Sequence, residues 1–537
     1  MRLHVAKLMA GLLAVASLNA QQPRVERYTF ALRLPATGKH VEGVATIEFA
    51  SRPAADTLTL DLDAAMTVSF VEVGCSLLEG KLPFVHAGNL LKVTVPLPAS
   101  RFDARCVHVF YDGEPTDGLI ISADSAGRWA AFGDNFPNRA RYWLPTLDRP
   151  SEKAKVTWRI RAPAGREIVA NGARVGRDVE GDQWVTTWRE DRPIPTYAMV
   201  IAAGPLVMHD LGKTACGFAE DGGCVPQMVW TAPEQATFMP GQFAHAGEIV
   251  DFFAKTVGAF PYEKLAHLQT TTRWGGMENS SAIFYADQFF RRANGISDGL
   301  IAHETAHQWF GDAVTEREWA HAWLSEGFAT FFAALWNQHA HGEAAYRAEL
   351  TQIRRQIIAA SVASQRAVID SIETDPNRLL NENTYQKGGF VLHMLRTQLG
   401  DSAFFGGLRA YFAEHRHGNA MTQDLQRALE RSSGRELGWF FDQWLRRPGW
   451  AEVLTSWQWD AATRRVTLDV EQGARFGAYR MPLTVDVTSA DGTHARVTVA
   501  LDASAAQRIE LPGVYAARPA ALALDPDVAL LATFGAR

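Results

Sequence analysis

HETAHQWFGDAVTEREWAHAWLSE, residues 303–326, decides how this chain is read. In a helix, positions four apart share one face, so His303 and His307 can turn two imidazoles toward a single ion. Glu304 stands one step round the same helix, within reach of a water held there. Eighteen residues separate His307 from Glu326, which stands on a second expected helix. Its carboxylate would complete three protein ligands and leave the fourth position of Zn²⁺ open, as catalysis requires. The rival pattern needs a third histidine where Ala313 stands, so it is closed. A histidine pair on an ordinary amphipathic helix would not need Glu304 and Glu326 at these spacings.

The remaining composition bounds the answer. The chain has 537 residues, 47% hydrophobic and 21% charged, which is a globular composition with room for roughly two to four domains. The formal net charge of -6 is mild, and no basic run of nucleic-acid type occurs. Small or peptide substrates fit better than DNA or RNA, and no protein partner is predicted.

Arg2 and Lys7 followed by the apolar stretch LMAGLLAVA (8–16) form an export signal, with cleavage expected after Ala16 or Ala20. The stretch is too short to span a bilayer, so no stable membrane anchor is expected. Four cysteines agree with an oxidising compartment. The preferred pairing is Cys75 with Cys106 and Cys216 with Cys224; four free thiols are the alternative. Without a Cys-x-x-Cys, a structural zinc site is not expected.

Along the chain, runs such as YTFALRLP, VEGVATIEFAS, DTLTLDLD and KAKVTWRIRAP alternate apolar and polar residues between turn residues. An antiparallel β domain from about Arg24 to Pro205 follows. After Ala232 the period changes: Phe243, Gly247, Val250, Ala254 and Val257 fall at helical spacing. Further helices are expected at 298–311, 326–340, 343–363, 385–399 and 402–414. GGMENSSAIFYAD (275–287) reads as an edge strand and loop. Past Pro448-Gly449 alternation returns in RRVTLDVEQ, MPLTVDVTS and HARVTVALD, predicting a small β-sandwich with a scaffold role.

At this point the chain resembles the aminopeptidase N family of gluzincin zinc metallopeptidases. The segments carrying the resemblance are Gly275-Gly276-Met277-Glu278-Asn279, HETAHQWFGDAVT, WLSEGFATFF around Glu326, and Tyr385-Gln386-Lys387-Gly388. ARYWLPTLDRP (140–150) is similar to the family's N-terminal-domain signature. The resemblance implies an α+β multidomain fold. It divides into a signal peptide (1–20), an N-terminal antiparallel β domain (21–205), a thermolysin-like, mostly helical zinc catalytic domain (206–449) and a C-terminal β-sandwich (450–537).

It further implies one Zn²⁺ on His303, His307 and Glu326, with Glu304 as the base and Tyr385 as the oxyanion donor. Glu278 would grip the α-ammonium of peptides with a free N-terminus, with Gly275, Gly276, Met277 and Asn279 lining the substrate backbone. The expected protein is a secreted aminopeptidase of a bacterial periplasm. A zinc endopeptidase, an epoxide hydrolase or a non-catalytic peptide-binding protein are the alternatives. Trp309, Phe310 and Trp323 are read as core packing, and Asn337, His339 and His341 as surface polar residues.

Several positions depart from the family pattern. Phe136 stands where relatives often place a Gln or Glu that helps hold the ammonium, leaving Glu278 with Asp134 and Asn135 as neighbouring candidates. His321 and Ser325 replace an Asp and an Asn near the ligand glutamate, so tuning of the metal differs there. The long C-terminal helical domain of many members is not expected, which would open the mouth of the site.

Overall fold

A computed structural model describes residues 24–50, 57–75, 80–95, 105–123, 127–237, 239–291 and 295–537. The expected export signal lies outside the described residues. The chain forms two compact units. The first takes in the chain up to Lys255 with Ala259–Thr315 and His415–Asn419; the second takes Thr256–Gly258, Glu316–Glu414 and Ala420–Arg537.

The first unit opens on an eight-stranded sheet. Its order is Ala173–Glu180, Gln183–Pro195, Lys153–Pro163, Val25–Arg33, Val41–Phe49, Cys106–Gly113, Met66–Val73 and Gly80–Leu82. The alternating pattern works as expected: Tyr28, Phe30 and Leu32 point inward and are buried, each apolar ring contributing roughly 2 kcal/mol. Trp143 and Trp158 stack beneath them with ring centroids 5.8 Å apart.

One pair in this β domain is parallel: Val25–Arg33 runs alongside Lys153–Pro163, with Arg27 opposite Lys155 and Arg33 opposite Arg161. Parallel neighbours need a long crossover, and the intervening strands supply it. Alternation reports which face a strand buries but not the direction of its partner, so this pairing is not visible in the sequence.

The ARYWLPTLDRP segment is a staple in this layer. Arg141 donates from Nε to Asp148 Oδ2 at 3.0 Å and from Nη2 to the Asp148 carbonyl at 2.8 Å. Leu147 N donates to the buried Tyr28 hydroxyl at 3.0 Å. Burial pushes the Asp148 carboxyl up to about 6, with Arg141 opposing it.

A four-stranded sheet and then a five-stranded sheet follow. The latter has the order Val207–Lys213, Pro226–Thr231, Leu265–Thr270, Ala282–Ala286 and Gly276–Met277. The expected edge strand is the short Gly276–Met277, pairing antiparallel with Ala282–Ala286 at the end of that sheet. Helices Ala246–Thr256 and Asp298–His307 come after it in importance for the site.

The second unit is helical and then β. Its helices include Trp323–His341, Glu343–Ala359, Gly388–Leu399, Thr422–Ser433 and Gly438–Leu445. Past Trp450, strands form sheets of four and three. The three-stranded sheet has the order His494–Leu501, Met481–Thr488 and Ala521–Leu524. This part bonds to the helices of the same unit. Arg354 Nη1 donates to Asp525 Oδ2 at 2.7 Å, and the His393 imidazole Nε2 lies 3.1 Å from the Val528 carbonyl.

Four helix bounds differ from expectation by three or four residues: the helix expected at 326–340 begins at Trp323, that expected at 343–363 ends at Ala359, and two more lie beside the site. The helix expected over 298–311 ends at His307, because the chain folds back so that Asp312 N donates to the His307 carbonyl at 3.0 Å. The helix expected from 385 starts as α-helix at Gly388, preceded by a π-turn over Asn383–Lys387. Among the described residues, no helix is long and apolar enough to cross a membrane.

Both expected disulfides are present, Cys75 with Cys106 and Cys216 with Cys224. Loop-closure entropy makes the first, spanning 31 residues, worth about 3–4 kcal/mol, and the second, spanning 8, about 2–3 kcal/mol. Denaturant titration of the C75A/C106A protein should therefore show the larger loss of unfolding free energy of the two paired deletions.

Candidate metal and peptide site

In the first unit, Ser297 caps the helix Asp298–His307, its hydroxyl accepting from Leu300 N at 3.2 Å. Along that helix the i, i+4 spacing does what the sequence predicts. The His303 and His307 rings stand 4.9 Å apart at 80°, and their Nε2 atoms are 3.2 Å apart. His307 Nδ1 faces the Phe310 carbonyl at 3.2 Å, which fixes the tautomer that donates from Nδ1 and leaves the Nε2 lone pair for a metal.

Two ligand nitrogens at ordinary zinc distances and a tetrahedral angle lie roughly 3.3 Å apart. The imidazole pair therefore fits that ion without rearrangement.

Glu304, Glu278 and His307 each offer a ligand-type atom within 4.8 Å of the others, and all three are buried. Two carboxylates so close together are costly to bury unless a cation shares the space. Glu304 packs on the edge strand: a Cβ added to Gly276 would fall 2.1 Å from Glu304 Oε1. Gly275 accepts from Ala286 N at 3.1 Å, Met277 is buried against the sheet, and Asn279 is fully buried in the turn that follows.

The second unit brings Glu326 and Tyr385 together. The Tyr385 hydroxyl donates to Glu326 Oε1 at 2.8 Å, with Glu326 buried and Tyr385 half-buried. Glycines make this approach possible. A Cβ on Gly327 would lie 2.9 Å from the Gly388 carbonyl carbon, so the helices Trp323–His341 and Gly388–Leu399 cross backbone to backbone beside these two residues.

His321 serves the same helix start. Its Nδ1 lies 2.7 Å from Thr422 Oγ1, which also accepts from Trp323 Nε1 at 2.9 Å. Burial, with Arg446 adding to it, holds the His321 imidazole down at about 4, so it stays neutral and accepts from the threonine. Trp309, Phe310 and Trp323 are buried core residues; Asn337 donates to Glu349, and His339 and His341 are exposed.

The loop before the Arg141 staple is tied into the fold by its own side chains. Asp134 is held by the Arg139 guanidinium at 2.5 Å. Asn135 accepts from Trp143 Nε1 at 2.8 Å and donates to the Met199 carbonyl at 2.6 Å. Both side chains are spent inside the fold. Phe136 packs edge-on against Tyr197 and Trp274.

Three buried polar residues were passed over in the sequence. Gln308 bonds the segment around Glu278. Lys153 donates from Nζ to the carbonyls of Asp312 and Ala313 at 2.7 and 2.8 Å, stapling the loop that leaves the metal helix. Lys387 donates to the carbonyls of Gly449 and Arg447 at 3.0 and 3.3 Å, tying the Tyr385 turn to the segment before the C-terminal strands. No sequence signal marks Gln308 or Lys153; Lys387 directly precedes the apolar run GGFVLHML.

Two imidazoles, a neighbouring glutamate, a glutamate on a later helix and a tyrosine are the residue inventory of a gluzincin-type metallopeptidase. Comparison with known proteins agrees. The model of the peptidase M1 N-terminal domain matches residues 24–198, and that of the peptidase family M1 domain matches 242–444. The chain belongs to peptidase family M1.

Aminopeptidase N of Streptomyces lividans is 28% identical over 413 residues, covering 74% of this chain and 45% of its own length. Leucyl aminopeptidase of Saccharolobus solfataricus is 26% identical, covering 72% of this chain and 48% of its own. The chain thus spans about half the length of these curated relatives. Among solved structures, an M1 zinc metallopeptidase from Deinococcus radiodurans superposes with a TM-score of 0.68 at 23% identity, covering 79% of this chain and 94% of that one. At that identity the likeness is one of fold.

Lys387 gives this region a pH signature. Burial, helped by Arg447, lowers its ammonium to about 7 in the folded protein, against about 10.4 when unfolded. Between those values the unfolded chain binds more protons, so the group's contribution is fullest above the upper value and is lost as pH falls through the lower one. Unfolding free energy should rise with pH across that window, and K387M should flatten the rise; identical pH slopes would refute the assignment.

Proposed function

We propose that this chain is a zinc-dependent aminopeptidase that removes the N-terminal residue from peptides with a free amino group. The observation that carries the reading is the pair of Nε2 atoms 3.2 Å apart on one helix, with the buried carboxylates of Glu304 and Glu278 beside them. His303, His307 and Glu326 would hold one Zn²⁺. Bound there, zinc supplies a Lewis acid that polarises a carbonyl and lowers the pKa of water toward about 7.

The chain's own residues do the rest. Glu304, lying between the metal helix and the edge strand, takes the proton of the attacking water and returns it to the departing amine. The edge strand Gly276–Met277 pairs with the substrate backbone as an added strand, its glycines allowing close approach. The Glu278 carboxylate accepts from the α-ammonium, a charge-assisted bond in a buried site. With Asp134 and Asn135 engaged elsewhere, amine recognition rests on Glu278. The Tyr385 hydroxyl, which donates to Glu326 here, turns to the oxygen that becomes negative as water adds.

The catalytic domain takes in 206–449, between an N-terminal β domain (21–205) and a C-terminal β domain (450–537). The two disulfides support export to an oxidising compartment, and the Arg2–Ala16 signal points to the periplasm or beyond.

E304Q should keep stoichiometric zinc while kcat falls by about a thousandfold, within the range for loss of a general base. Y385F should lower kcat by about a hundredfold with little change in KM, as for an oxyanion donor. Turnover of aminoacyl chromogenic substrates that survives exhaustive chelation, or equal turnover of free and N-acetylated peptides, would overturn the reading.

A further inference from the structure

The residue immediately after the metal-facing His307 is Gln308, fully buried at the point where the helix ends. Its side-chain amide is saturated. Nε2 donates to the Glu278 carbonyl at 2.8 Å and to Asp312 Oδ2 at 2.9 Å, while Oε1 accepts from Ser281 N at 2.7 Å. Two of these bonds reach the segment 278–281, which carries the carboxylate beside His307 and Glu304.

That segment is rigid by its own geometry. Ala282 N closes a turn onto the Asn279 carbonyl at 2.9 Å, and Ser281 sits in the left-handed region at φ 61°. It is also held from the opposite side. Lys264 donates from Nζ to the Ser281 carbonyl at 2.8 Å, Gly172 N donates to Ser281 Oγ at 2.7 Å, and Asn171 donates to the Ser280 carbonyl at 2.7 Å. The turn is thus a fixed piece, and Gln308 joins it to the helix of the two imidazoles.

We propose that Gln308 is the positioning residue that sets the distance from the ammonium anchor Glu278 to the metal helix, so that one amino-acid residue fits between them. The inference rests on the aminopeptidase reading. An amide suits the task because it must donate to one backbone carbonyl and accept from one backbone N–H of the same turn. A glutamate of equal length would turn a carboxylate toward the Glu278 carbonyl and the Asp312 carboxylate. Methionine would fill the space and make neither bond. Placement of this kind matters because a displacement of about 1 Å costs up to a hundredfold in a positioned reaction.

The test compares affinities, so that it does not depend on turnover. Leucine hydroxamate and its des-amino counterpart, 4-methylpentanohydroxamate, share the metal-binding group and differ in the ammonium. Calorimetry on the zinc-loaded wild type should show the amine form binding about tenfold to a hundredfold tighter, the range of a charge-assisted bond. In Q308M the ratio should fall below about threefold, with zinc stoichiometry and des-amino affinity kept within about twofold.

Q308E, which preserves volume and the acceptor for Ser281 N–H, should lose the ratio in the same way and serves if Q308M does not fold. A preserved ratio in both variants, or equal weakening of both ligands, overturns the positioning role while leaving the aminopeptidase reading in place. A wild-type ratio near one removes the ammonium anchor itself, and the inference with it.

Discussion

The constraint from which the site follows is electrostatic. A buried helix presents two imidazole lone pairs 3.2 Å apart, next to two buried carboxylates. Two buried carboxylates this close are stabilised by a shared proton or by a cation. On the proposed function, a divalent ion at the imidazoles and an ammonium at Glu278 would balance both halves of the cluster. On this reading the substrate's amine is part of what balances the site, and a peptide with a blocked N-terminus would lack that ammonium.

The surrounding fold is organised to hold those groups still. On the imidazole side, Ser297 fixes the helix start, the Phe310 carbonyl fixes the His307 tautomer, and Lys153 gathers the carbonyls of the loop that follows. On the glutamate side, Gly327 and Gly388 let two helices meet without side chains between them, which is how Tyr385 reaches Glu326. His321 reaches a similar end by a different chemistry from the acidic residue expected there. A neutral imidazole sharing Thr422 with Trp323 anchors the helix start without adding negative charge.

Much of this was legible beforehand, for reasons that differ from residue to residue. His303, Glu304 and His307 are readable because helical period alone puts them together. Glu326 is readable because its spacing places a carboxylate on the following helix. Tyr385 and Glu278 entered through resemblance, since an isolated tyrosine or loop glutamate carries no periodic signal. Gln308 was invisible: a glutamine before Trp309 and Phe310 reads as the polar edge of a helix, and only the fold-back at Asp312 buries it. The parallel pairing of Val25–Arg33 with Lys153–Pro163 was invisible too, because alternation carries no direction. The local partners of Asp134 and Asn135, Arg139 and Trp143 a few residues further on, were not legible either.

That last point bears on how strongly one carboxylate can carry recognition. In a wet, exposed cleft a single glutamate would hold an ammonium weakly, since exposed ion pairs contribute about 0–1 kcal/mol. Glu278 is not exposed: it is only 6% accessible and sits beside fully buried Asn279 and Ser280. Burial raises the cost of the empty state and with it the gain on binding, provided the carboxylate cannot relax toward another partner. The turn at 279–282 and the bonds to Ser280 and Ser281 fix the backbone from which that carboxylate projects. On the proposed function Glu278 carries amine recognition, and Phe136, packed edge-on against Tyr197 and Trp274, takes no part in it.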